Sequence, residues 1–304
     1  MKNSILKGIL GFPVTPFNKD NSIDIISFKE NMDFLIENGI TTIFVACGAG
    51  EYNSLTNFEY EKLLEVGSSY RDEKIKIFAG IGGNVQVAQE QILIAEKYNI
   101  DGFLMMPPYL ISPSREGLKL YLENLIQATS LDVIIYHRDN CRVDIQMLNE
   151  LSKYENLVGF KDGVGKIEEV LEYVHTFGDR FEWINGLPLA EVTMSAYYKM
   201  GFKSYSSAIS NYIPKISRLH FDAIINGDSE KEKHIYENFI LPIHRIRTAE
   251  KGYAVSLIKA GINIINPSIG LNVRGPISSV KDKHYQQLKE VVEAANIYVS
   301  KVSV

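Results

Sequence analysis

Short runs of apolar and β-branched residues recur about every thirty residues along the chain, each followed by a polar loop and an amphipathic segment of helical length. The spacing predicts eight strands, over residues 9–14, 41–47, 74–81, 102–107, 132–137, 157–162, 181–186 and 203–208. Between them it predicts helices over 25–38, 57–70, 85–98, 115–128, 144–154, 167–177 and 189–200. Thr56, Ser114 and Asp144 are placed to cap three of these, because each offers a side-chain oxygen to a free backbone N–H. Strands apolar on both faces and alternating with helices call for a parallel sheet covered on both sides. Eight such units in about two hundred residues call for a (β/α)8 TIM barrel of the α/β class, with an open doubly wound sheet as the competing arrangement.

Beyond residue 208 the pattern is helical only, with helices predicted over 213–225, 229–247, 253–265 and 282–301 and a loop over 266–276. The expected organisation is a barrel over 1–226 and a C-terminal helical region over 227–304 packed on it. No Pro/Gly/Ser-rich or low-complexity linker separates the two.

Composition narrows the function classes. With 304 residues, 45% hydrophobic and 23% charged, the chain is ordinary for a globular protein with a large core. Its formal net charge is −5 and it has no Lys/Arg block, which gives no electrostatic case for nucleic acid or an anionic membrane surface. A small-molecule ligand is expected. The N-terminal MKNSILKGILGFPVTPF lacks the continuous apolar stretch of a signal peptide, and no window reaches the length of a membrane span. Cys47 and Cys141 are too few for a disulfide framework, suit a reducing cytoplasm and read as small buried hydrophobes.

The active site of such a barrel lies at the C-terminal ends of its strands, so the residues closing each apolar run carry the information. In order they are TPF, GAGEY, GGN, PPYL, YHRDN, KDG, NGLP and SSA. The sixth run, LVGFKDGVG, drives Lys161 onto the end of a buried strand, where an ammonium group is costly unless it is paired or loses its proton. Alternation puts Leu157, Gly159 and Lys161 on one face of strand six and Ile134, Tyr136 and Arg138 on one face of strand five. If both faces point inward, Lys161 stands beside Tyr136, with Gly159 beneath it leaving room. A neutral lysine in a dry site is a nucleophile for carbonyl carbon, and a neighbouring phenol can move the proton that imine formation requires. The competing reading pairs Lys161 structurally with Asp162 or Glu51 and leaves Tyr136 as core; for Arg138 it is a surface salt bridge at a loop start.

Of the six histidines only His137 closes a strand, on the face assigned outward, so no metal site is expected. GGN at 82–84 is not a dinucleotide fingerprint and no Walker-type loop occurs, so no nucleotide cofactor is expected.

PVTPF, GAGEYNSL, MMPPYL, IIYHRDN, GFKD and the NG after strand seven resemble, in order and spacing, the family of Schiff-base lyases typified by dihydrodipicolinate synthase and N-acetylneuraminate lyase. The resemblance runs from about Gly8 through the C-terminal helices. It implies a barrel with a C-terminal helical region, a homo-oligomer (dimer or, more usually, tetramer), a 2-oxo acid substrate and no cofactor. Lys161 matches the lysine that forms an imine with the 2-oxo acid, and Tyr136 the tyrosine that assists proton transfer. The backbone of Gly48 and Ala49 matches the loop that holds the 2-oxo acid's carboxylate, and Tyr109 an aromatic shared across a subunit interface. Gly186, Ser206 and Ser207, closing strands seven and eight, join the candidate substrate-binding residues.

Within the family, YHRDNCR, GFKDGVGKIE, NGLPLAEV, YSSA and KGYAVSLIKAG are similar to segments of the 5-dehydro-4-deoxyglucarate dehydratases. That resemblance implies dehydration and decarboxylation of 5-dehydro-4-deoxy-D-glucarate to 2,5-dioxopentanoate, with Arg138 a candidate for the distal carboxylate. The alternatives are dihydrodipicolinate synthase or another 2-oxo-acid aldolase of the family, and a non-catalytic sugar-acid-binding protein that keeps the pocket. One departure stands out: the synthase has two threonines where this chain has Gly48 and Ala49, and the dehydratase usually keeps a threonine at the second, so the resemblance implies that the tyrosine-to-threonine proton relay is absent. Either water or another group such as Ser206 or Ser207 is expected in its place, or activity is weakened.

Overall fold

The computed structural model describes residues 6–109 and 111–302. The first five residues of the N-terminal segment, Leu110 of PPYL and the last two residues of the C-terminal helical region lie outside them. Among the described residues eight parallel strands close into a barrel in chain order: β1 (Gly8–Gly11), β2 (Thr42–Val45), β3 (Lys76–Gly82), β4 (Gly102–Met106), β5 (Asp132–His137), β6 (Leu157–Asp162), β7 (Glu182–Asn185) and β8 (Ser204–Ser207), the last pairing with the first. The open doubly wound alternative is thereby excluded.

The helices between them are α1 (Ile25–Glu37), α2 (Asn57–Ser68), α3 (Val85–Ala95), α4 (Arg115–Ile126), α5 (Ile145–Leu151), α6 (Ile167–Phe177) and α7 (Met194–Lys199). The expected caps form: Thr56 makes a reciprocal capping box with Glu59, while Ser114 and Asp144 accept from the N–H groups of Gly117 and Met147. The chain then continues through α8 (Pro214–Asn226), α9 (Ser229–Ile235), α10 (Leu241–Thr248), α11 (Tyr253–Ile265) and α12 (Asp282–Val302).

Two predicted helices are interrupted. The one over 189–200 is a 3-10 turn at Ala190–Val192 followed by the short α7, because Leu189 is left-handed (φ 51°) and the Asn185 amide takes up the Ala190 carbonyl and the Thr193 hydroxyl. The one over 229–247 contains a π-helical turn at Tyr236–Ile240. Pro242, in the first turn of α10, cannot donate to the carbonyl four residues back, and the ladder widens just before it.

Two hydrophobic layers surround the sheet. Outward-facing strand residues such as Val133, Ile135, Leu157 and Phe160 pack under the helices, whereas Phe12, Phe44, Phe78, Leu104, Ile134, Tyr136 and Ile184 fill the barrel. Phe12, Phe44 and Phe78 stack in series across this interior, with centroids 4.6 and 4.9 Å apart. A register shift between Val133 and Ile134 corrects the expected alternation on β6: Val133 pairs with Leu157 but Ile134 pairs with Gly159. The irregularity turns Leu157 into the outer layer, and Val158 packs on the inner one. Only Gly159 and Lys161 keep the inward face.

Candidate active site

β5 and β6 carry the central pair. Tyr136 and Lys161 are register partners, and Ile184 of β7 flanks Lys161 on its other side. Both Tyr136 and Lys161 are 5% exposed. The Lys161 ammonium nitrogen lies 4.2 Å from the Tyr136 ring centroid and 4.3 Å from that of Phe12. Among the described residues it has no carboxylate partner and no hydrogen bond. Burial lowers its pKa below the ordinary lysine value, and the charge of Arg138 adds to that, opposed by Tyr136 and Cys47.

The structural pairings considered for Lys161 are both otherwise engaged. Asp162 points to the outer layer, where it accepts from the N–H groups of Val164 and Gly165 and, at 2.5 Å, from the Tyr197 hydroxyl. Glu51 is fully buried and bound to Lys259 at 2.5 Å and to the Arg274 N–H at 2.9 Å. The room around Lys161 also has a different source from the one expected. A Cβ on Gly159 would meet Ile134 and the Glu182 carbonyl, whereas one on Gly186 would lie 2.5 Å from Lys161 Cγ and 2.7 Å from its Cε. Gly186, following β7, is the residue that makes space for the lysine.

The Tyr136 hydroxyl donates to the Gly186 carbonyl at 3.1 Å and accepts from Arg138 Nη1 at 2.9 Å. Arg138 in turn holds Asp139 through Nε at 3.0 Å. Neither serine reaches this phenol: Ser206 donates to the Asn185 carbonyl at 3.4 Å, and Ser207 to Glu191 at 2.5 Å. The expected serine relay to Tyr136 is therefore not formed, because both hydroxyls are drawn away toward β7 and its following turn.

Gly48, Ala49, Lys161, Tyr136, Arg138, Gly186, Ser206 and Ser207 all line one pocket of about 450 Å3 at the C-terminal mouth of the barrel, within the usual range for a small-molecule site. No hydrogen bond within the described residues uses the N–H groups of Gly48 or Ala49, which leaves two backbone donors beside the lysine. Tyr109 does not line the pocket; it stands 71% exposed in the loop after β4. Cys47 lies in the barrel interior, its thiol pushed up to about 12 by burial, and Cys141 lies in the outer layer. His137 is in the outer layer too, accepting from the Val143 N–H at 3.1 Å and stacked on Phe160; burial lowers its pKa to about 4. The described residues bring no His/Cys/Asp/Glu group together that could hold a metal, and none of their helices is long and apolar enough to cross a membrane.

Three functional candidates lie away from the strand ends. Arg247, near the end of α10, lines the pocket from outside the barrel. Glu191, inside the NGLPLAEV segment, is fully buried behind Ser207, and burial pushes its carboxyl up to about 7. Lys259, midway along the apolar helix α11, was visible as a lone lysine in YAVSLIKAGINII, the same kind of oddity that drew attention to Lys161.

A closed parallel barrel whose mouth pairs a buried amine with a phenol has the architecture of the class I aldolase-type lyases. The chain belongs to the dihydrodipicolinate synthetase family, whose model it matches over residues 5–295. It is 46% identical to a probable 5-dehydro-4-deoxyglucarate dehydratase of Oceanobacillus iheyensis over 95% of this chain and 94% of that one. It is equally 46% identical to a protein of the same designation from Bacillus subtilis, again over 95% and 94%. Its fold matches the crystal structure of dihydrodipicolinate synthase from Bacillus clausii with a TM-score of 0.88 and 25% identity, over 96% and 98% of the two chains.

Proposed function

We propose that this enzyme is a 5-dehydro-4-deoxyglucarate dehydratase that works through an imine on Lys161. The observation that carries the imine reading is the Lys161 amine itself, buried between two aromatic rings with no counter-ion among the described residues and with a phenol on the adjoining strand. The identity of the sugar acid is supported by the dehydratase relatives at 46% identity.

In the proposed reaction the neutral amine adds to the C5 ketone of 5-dehydro-4-deoxy-D-glucarate, and water leaves to give a protonated imine. Loss of a C4 proton yields an enamine, whose electrons expel the C3 hydroxyl, protonated, as water. The conjugated imine then takes up the electron pair of the C1–C2 bond as CO2 departs. Reprotonation and hydrolysis release 2,5-dioxopentanoate and restore the amine. The nitrogen acts twice as electron sink. Tyr136 moves the protons, held in place by its bonds to Gly186 and Arg138. The free N–H groups of Gly48 and Ala49 hold the carboxylate next to the ketone.

The unpaired, buried Cys47 and Cys141 support a cytoplasmic setting, and exposed Tyr109 and Ile111, close together in one loop, support a homo-oligomer, dimer or tetramer. Supplying 5-dehydro-4-deoxy-D-glucarate is expected to release one CO2 per 2,5-dioxopentanoate formed. Consumption of pyruvate with aspartate semialdehyde instead would assign the chain to the synthases, and thermal stabilisation by the sugar acid without turnover would make it a binding protein.

A further inference from the structure

Arg138 is the residue the resemblance offers for the substrate's distal carboxylate, yet two of its five N–H groups are already engaged. Nη1 donates to Tyr136 and Nε to Asp139. The same pocket is lined by Arg247, half-buried on α10, for which the described residues supply no ion pair and no hydrogen bond. Burial lowers its pKa, and the next largest influence is the charge of Arg138, which lines the same pocket. Only phenols, Tyr136 and Tyr212, act in the opposite sense. The pocket lining contains Lys161, Arg138 and Arg247 against the single carboxylate of Asp139, which Arg138 already holds. In a chain of net charge −5 this is a local surplus of positive charge, and a half-buried guanidinium without a partner is a site that an anion completes.

We propose that Arg247, carried over the barrel mouth on a helix outside the barrel, binds the remote carboxylate of a dicarboxylic 2-oxo acid, and that Arg138 positions the Tyr136 hydroxyl. This rests on the Lys161 reading above, which fixes one end of the substrate at the amine and leaves the other end to be read. In that orientation the remote carboxylate is the one lost as CO2. A group that binds it stabilises the ground state and the early steps alike, so its removal raises KM rather than lowering the rate of dehydration.

The test compares wild type with Arg247→Gln, Arg247→Lys and Arg138→Gln. Two probes are used: 5-dehydro-4-deoxy-D-glucarate in steady-state turnover, and pyruvate, which has no remote anion, in borohydride trapping on Lys161. Arg247→Gln is expected to raise KM for the diacid roughly 10- to 100-fold, the scale of a lost hydrogen bond to a charged group, while half-maximal trapping by pyruvate stays at the wild-type concentration. Arg247→Lys, which keeps the charge, should recover part of the loss. Arg138→Gln should instead lower kcat and displace its pH profile, because the phenol loses its donor. An unchanged KM in Arg247→Gln, with normal pyruvate trapping, overturns the assignment of Arg247 alone. A loss of diacid binding and pyruvate trapping together in that variant also overturns it, since the defect would then be general. Failure of the wild type to trap pyruvate overturns the Lys161 reading on which the assignment stands.

Discussion

Glu51 and Lys259, separated by 208 positions in the chain, form an ion pair whose two side chains are both fully excluded from solvent. Glu51 sits in left-handed backbone (φ 54°) directly after the Gly48–Gly50 turn, and its second oxygen takes the Arg274 N–H. Lys259 completes its shell with the Asn272 carbonyl at 2.7 Å. Arg274 also reaches the Ser54 carbonyl and Glu59, whose carboxyl it pulls down to about 2. The pair thus fastens the loop with the two free backbone donors to α11 and the segment that follows it.

Removing one member of such a buried pair leaves the other charge uncompensated. Lys259→Met is therefore expected to cost about 3–5 kcal/mol, read from denaturant unfolding, and Glu51→Gln to be costly as well. The double replacement Glu51→Gln/Lys259→Met should be milder than the sum of the two single changes. Additivity in that cycle would contradict the pairing.

Gly186→Ala tests whether this glycine shapes the site. The added methyl would lie 2.5 Å from Lys161 Cγ and 2.9 Å from the Asp162 carbonyl, which is backbone and cannot swing away. The expected result is a misplaced Lys161, with a fall in kcat of roughly 100-fold on the scale of small displacements of a reacting group, measured by CO2 release. Wild-type kcat in this variant would show that the lysine has slack that the geometry denies it.

Glu191 gives a pH signature. Its carboxyl titrates at about 7 in the folded protein against an ordinary 4.5, so the native state holds the proton more tightly than the unfolded chain. The stability this provides is complete below about pH 4.5 and is lost as pH rises through about 7, a difference of about 3 kcal/mol. Glu191→Gln keeps an acceptor for Ser207 and cannot ionise. Denaturant unfolding from pH 5 to 8 should show wild type losing stability relative to the variant as pH rises; a wild type that gains on it would overturn this account.

Much of the fold was legible because strands buried on both faces read as unbroken apolar runs. β5, β6, α6 and α11 begin and end where their sequence patterns do. The pattern predicts the first strand over 9–14, yet it pairs only over Gly8–Gly11: Phe12 and Val14 are apolar because they face the barrel interior and α11, and not because they join the ladder. Strand ends and alternation alone place Lys161 beside Tyr136, as the register does, even though the bulge at Leu157–Val158 breaks that alternation below them. Arg247 and Lys259 were missed for one reason. Their side chains come down onto the pocket and its loop from helices outside the barrel, far in the chain from any strand end.

The central claim is that Lys161 reacts as a neutral amine. Borohydride reduction in the presence of pyruvate, followed by peptide mass mapping across a pH series, tests it directly. The expected result is a reduced pyruvate adduct on Lys161, with trapping that rises with pH and levels off below the ordinary lysine value of 10.5, in keeping with the lowered pKa of the buried amine. An enzyme that turns over its substrate while Lys161 stays unmodified, or trapping that still climbs at pH 10.5, would contradict it.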